Sequence, residues 1–194
     1  MVFHINKLVT ICLLLLAAEM AFGQAQEMFL IQGEKKIALN NEESVKLKKE
    51  PFTIRFHSPR YSEDTANALQ VAAFRDKAWL DKAYPGIALS AVPYLSPGSG
   101  MAAYPEGYPY IMLNPEGHHY LYYFDERDKR VDIAGQQGDW LTLDWTVEAF
   151  LIDGERKLFR DAGVAEFYLV LFFDANHNRR IDEGELKKLS LTFL

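Results

Sequence analysis

Apolar and polar residues alternate over much of this chain. "PFTIRFH" places Phe52, Ile54 and Phe56 on one side and Thr53, Arg55 and His57 on the other. "SVKLK" joins Val45 to Leu47, and "LKKLSLTFL" joins Leu189, Leu191 and Phe193. A period of two with β-branched and aromatic residues marks a strand with one buried face. "KRVDIA" and "WLTLDW" read as strands too. "MFLIQ" and "KKIAL" flank a turn at Gly33 and Glu34, while "VEAFLI" and "RKLFR" flank "DGE", a hairpin signal. "YPYIML" and "HHYLYYF" are joined by "NPEG", which suits a type I turn with Pro115 second and Gly117 fourth. "AEFYLVLFF" is apolar on both sides and reads as a central strand.

The period changes in "YSEDTANALQVAAFRDKAWLDKAYPG". Ser62 is a candidate N-cap, with Glu63 and Asp64 in the first turn. Leu69, Ala72, Ala73 and Leu80 share one helical stripe, Val71, Phe74 and Ala78 a neighbouring one, and Pro85 and Gly86 stop the helix. Residues 87–109, rich in Gly, Pro, Ser and Tyr, read as a long ordered loop of the kind that carries function. The expected fold is mainly β, an antiparallel sandwich or open barrel, with one packed amphipathic helix. No repeat or linker divides it, so residues 24–194 form a single domain.

The first 23 residues carry Lys7, an apolar run from Leu8 to Ala18, and small residues Ala21 and Gly23 before a cut. That is the layout of a signal peptide, and the run is about half of the ~20 residues a membrane span needs. The expected product is exported, periplasmic or extracellular, with no membrane span in the mature chain. Cys12 is the only cysteine and falls inside the leader, so the product rests on its core and not on disulfides. Such a composition fits a bacterial envelope. A net charge of −6 argues against nucleic acid, which a basic surface would hold, and suits a divalent cation.

The stretch with the clearest chemistry is "DANHNRRIDEGE", residues 174–185. Calcium takes six to eight oxygen ligands from a flexible loop. Counted from Asp174, oxygen donors fall at position 1 (Asp174), 3 (Asn176), 5 (Asn178), 9 (Asp182) and 12 (Glu185). Arg180 at position 7 offers its backbone carbonyl, and Ile181 at position 8 is apolar and suited to anchoring the loop. The pattern resembles the calcium-binding loop of EF-hand and dockerin-type proteins, over 12 of 194 residues. That resemblance implies calcium held by Asp174, Asn176, Asn178, Arg180, Asp182 and Glu185. It departs at position 6, where a glycine is expected for a positive φ and this chain has Arg179, at a cost of about 1 kcal/mol. A strand, not a helix, leads in. The expected site is weak, about 10⁻⁴ to 10⁻³ M, as in extracellular modules.

Other chemistry is thinner. His118 and His119 are adjacent, so on a strand they face opposite ways and do not easily share a zinc ion. No nucleophile elbow, metalloprotease helix or phosphate loop is present. Tyr104, Tyr108, Tyr110, Tyr120, Tyr122 and Tyr123 cluster within twenty residues. Such rings either fill a core or, when exposed, stack on a sugar or anchor a protein. The leading expectation is a non-enzymatic binding protein with a structural calcium loop, taking a protein or carbohydrate ligand near residues 96–123. The alternative is a secreted hydrolase with its site near His57, His118 or His119.

Overall fold

The computed structural model describes residues 27–60, 69–92, 95, 111–114, 121, 130–152 and 154–194. Residues 1–26, the six clustered tyrosines, His118, His119 and the turn expected at Pro115–Gly117 lie outside the described residues. The described chain is mainly β, arranged as a sandwich. One sheet has five antiparallel strands in the order β2 (Lys35–Ala38), β1 (Phe29–Gln32), β4 (Phe52–Pro59), β8 (Trp140–Val147) and β7 (Asp132–Gln137). A second has β10 (Glu155–Leu158), β9 (Ala149–Ile152) and β6 (Met112–Asn114). The third runs β3 (Glu42–Leu47), β12 (Leu186–Phe193), β11 (Glu166–Phe172) and β5 (Gln70–Phe74).

The alternation read from the sequence is the alternation of burial. In β4, Phe52, Ile54 and Phe56 are buried and Thr53, Arg55 and His57 are half-buried on the outer face. Cross-strand partners on β8 complete that outer row: Thr53 meets Thr146, and Arg55 grips Asp144 through two bonds of 2.7 Å. The Gly33 turn between β1 and β2 adopts φ 58°, which glycine takes without strain. β11 is interior to its sheet, as its two-sided apolar character requires.

The inner faces of all three sheets meet in one large apolar cluster. At its centre five rings interlock: Phe150 packs edge-on against Phe159 at 4.9 Å and Phe167 at 5.1 Å, Phe159 also contacts Phe52 at 5.8 Å, and Phe193 lies 5.0 Å from Phe159. Offset and edge-on aromatic pairs add about 0.5–1.5 kcal/mol each beyond burial. A smaller cluster covers the outer face of the third sheet, where Ala72, Phe74, Tyr168, Val170, Phe172 and Leu186 meet Leu80, Leu89, Val92, Leu95 and Ile181.

One expectation needs correction. Over the described residues 69–80 the expected long helix is instead a strand followed by one helical turn, and its candidate N-cap, Ser62, lies outside the described residues. Gln70–Phe74 pair with β11, and helix α1 spans only Lys77–Leu80, capped by the Asp76 carboxylate, which accepts from the Ala78 N–H at 2.9 Å. "LQVAAF" is apolar on both sides because β5 is covered by both clusters, and a two-sided apolar run has no period to separate strand from helix. Within this mainly antiparallel arrangement β12 pairs with β3 in parallel, Lys188 opposite Glu42 through Phe193 opposite Leu47.

Candidate metal centre at the 174–185 loop

The loop joins β11 to β12, neighbouring antiparallel strands, so its two ends are fixed by the ladder. Its interior turns on the short side chains at alternate positions. Asn176 Oδ1 accepts from the Asn178 N–H at 3.0 Å, and Asn178 Oδ1 accepts from the Arg180 N–H at 2.8 Å. Asp174 Oδ2 accepts from the Arg179 N–H at 3.1 Å, closing the first half of the loop. Asx side chains support such local turns because a short oxygen reaches a backbone N–H two residues on.

Arg179 adopts φ 61° and His177 φ 58°, so position 6 does require the left-handed conformation although no glycine occupies it. Each costs on the order of 1 kcal/mol for an L-residue. The bonds to Asp174, Asn176 and Asn178 hold that strain in place.

The second half is anchored from outside. Ile181 is fully buried in the smaller cluster, which accounts for an apolar residue at position 8. Its N–H donates to Ile87 O at 3.0 Å and its carbonyl accepts from the Gly86 N–H at 2.7 Å. The Leu89 N–H donates to Arg179 O at 3.1 Å, which makes Ala88 and Arg180 an antiparallel bridge. In such a pair the bonds run between the flanking residues, so Arg180 turns its own N–H and C=O away from Ala88, to the side of the loop. The Arg180 guanidinium reaches back to Gly86 O. The spacing of the loop gave no hint of this partner segment, which lies some ninety residues earlier in the chain.

The three candidate carboxylate ligands sit in different surroundings. Glu185 is 3 % exposed, with Oε1 accepting from the Ala175 N–H at 2.8 Å and Oε2 from the Asp182 N–H at 2.9 Å. Burial raises its pKa above the ordinary carboxylate range, the two N–H donors oppose that, and the Asp174 and Asp182 charges raise it further. Asp182 is shifted the other way, because Asn176 and Asn178 donate to its Oδ2 at 2.7 and 2.6 Å and Arg180 lies nearby. Asp174 Oδ1 is buried and has no hydrogen-bond partner. A buried acceptor left unsatisfied costs about 1–3 kcal/mol.

The loop therefore brings together all six residues singled out in the sequence but does not gather its carboxylates around one point. Among the described residues no three His, Cys, Asp or Glu side chains are grouped to hold a metal ion. The amide nitrogens of Asn176 and Asn178 face Asp182, so a cation there would have to displace them. The donor set still suits a hard cation: carboxylates, amide oxygens and a carbonyl, with no nitrogen or sulfur ligand.

Away from the loop, His57 Nδ1 lies 3.2 Å from Thr142 Oγ1 on the outer face of the five-stranded sheet. Two grooves among the described residues, of about 330 and 370 Å³, are lined chiefly by charged side chains, Glu42, Lys77, Asp81 and Lys188 in one and Lys49, Glu148, Arg156 and Arg160 in the other. Neither brings a histidine to a carboxylate. No helix among the described residues is long and apolar enough to cross a membrane. Comparison with known families, characterised proteins and solved structures finds none that matches this chain.

Proposed function

We propose that this is an exported, non-enzymatic binding protein whose 174–185 loop holds a structural calcium ion. The observation that carries the calcium reading is Asp174 Oδ1, an oxygen buried without a donor at the first position of the loop. A hard cation would satisfy it and would offset the charge that burial makes costly at Glu185. The turns at Asn176 and Asn178, the positive φ at Arg179 and an Arg180 carbonyl turned away from Ala88 support the same reading. Ligand binding, to a protein or a carbohydrate, is assigned to residues 96–123 on their six tyrosines.

Thermal unfolding in calcium and in chelator tests the site. At about 100 times its dissociation constant a ligand that binds only the folded state adds about 2.7 kcal/mol. For a domain of this size that raises the midpoint by about 5–10 °C. Glu185→Gln is expected to abolish the rise. Superimposable curves for the wild-type chain across the calcium range would remove the metal from the reading. Export is tested separately: a bacterially expressed chain should reach the periplasm starting at Gln24, and retention of residues 1–23 in the cytosol would count against it.

A further inference from the structure

The loop is tied to one segment of the chain, and that segment borders the proposed ligand region. Among residues 83–92 and Leu95 there is little regular structure beyond a 3₁₀ turn at Leu89–Ala91. They are held in two ways. Their apolar side chains, Ala83, Leu89, Val92 and Leu95, enter the smaller cluster beside Ile181. Their backbone pairs with the loop: Gly86 N–H to Ile181 O, Ile181 N–H to Ile87 O, and Leu89 N–H to Arg179 O. Three of the residues that build the candidate metal centre, Arg179, Arg180 and Ile181, thus also form the edge on which 86–89 lies.

We infer that the loop is a calcium-set clasp: filling it stiffens residues 83–92, which the loop's own backbone holds at Gly86, Ile87 and Leu89. The inference rests on the calcium reading above. The carbonyl that Arg180 would lend to the ion lies on the opposite side of the same backbone that bridges Ala88. Fixing one side fixes the other, because one residue's φ and ψ set both. The far end of residues 96–123 is secured independently, since β6 and Leu121 belong to the large cluster and Leu121 donates its N–H to Leu69 O at 2.6 Å. Among the described residues, β6 and Leu121 are thus held without the loop, whereas 83–92 are held through it. By linkage, whatever tightens the segment also tightens calcium.

Hydrogen exchange on the purified full chain reads this directly, with calcium alone as the probe. Exchange is followed at the Gly86 and Leu89 amides, with β9 and β10 as the internal reference, and calcium binding is measured in parallel by calorimetry. At calcium about 100 times its dissociation constant, local opening of the segment should slow by up to about 100-fold, while the reference strands change less. Arg180→Ala keeps the backbone carbonyl but removes the guanidinium contact with Gly86, and it should weaken both calcium affinity and the protection of Gly86. Calcium that binds without changing Gly86 or Leu89 exchange overturns the clasp and leaves the site standing. A chain that binds no calcium by calorimetry overturns both.

Discussion

The two apolar clusters lie on opposite faces of the third sheet and are built differently. The large one is closed by strands from three sheets and by five phenylalanine rings, so its partners are held by continuous ladders. Among the described residues the small one is covered by a single helical turn, residues 83–92 with Leu95, and one loop residue, Ile181. Both are buried to a similar degree, but in the small cluster few regular hydrogen bonds hold the covering layer. Burial alone does not set local stability; how the covering backbone is held also matters. If the loop holds calcium as proposed, calcium-dependent stability is expected on the small-cluster side, where Ile181 packs.

The largest effect should come from the large cluster. Phe150→Ala removes a ring that contacts Phe159, Phe167 and Phe193, and should cost about 3–5 kcal/mol, by the same amount in calcium and in chelator when measured by denaturant unfolding. An effect that calcium offsets would mean the two faces are not independent. Next is Ile181→Ala, expected to cost about 2–4 kcal/mol and to shrink the calcium-dependent rise in melting midpoint, since it frees the loop from its anchor. Undiminished calcium stabilisation in that variant would uncouple the loop from the cluster. Arg179→Gly should act in the opposite direction, gaining about 0.5–1 kcal/mol and tightening calcium, because glycine relieves a positive φ at some entropic cost. A loss of stability there would show that the Arg179 side chain matters more than its backbone strain. The smallest change is expected from Arg55→Met on the outer face of the five-stranded sheet. The pair with Asp144 is bidentate but partly solvent-screened, so about 0.5 kcal/mol is lost, without calcium dependence.

These differences also explain what could be read in advance. Strands with one buried face, such as β4 and β12, carry their environment in their own alternation, and Phe52, Ile54, Phe56, Leu189, Leu191 and Phe193 all lie where that alternation puts them. β5 carries no such record, because Val71 and Ala73 face the large cluster while Ala72 and Phe74 face the small one. The parallel pairing of β3 with β12 depends on partners about 140 residues apart in the chain, and no local pattern encodes it. The same division holds within the candidate site. Asp174, Asn176, Asn178, Arg180, Asp182 and Glu185 could be picked out as candidates because donor spacing within twelve residues is local. Gly86, Ile87 and Leu89, which hold the loop from outside, have backbone roles that any side chain permits. The left-handed His177 was missed for a related reason, since no glycine marks it.

The position of β12 has a consequence for how the molecule comes into being. This strand follows every other described strand in the sequence, yet it sits inside its sheet between β3 and β11. While a nascent chain still has β12 within the ribosomal tunnel, β3 has no neighbour in this sheet and β11 has only β5. The sheet can close only after synthesis has passed Phe193, and it closes by inserting the newest strand between two older ones. Pairings of such sequence separation form slowly. Each newly made copy therefore passes through an interval with open strand edges, during which a chaperone or another nascent copy has its best opportunity to bind.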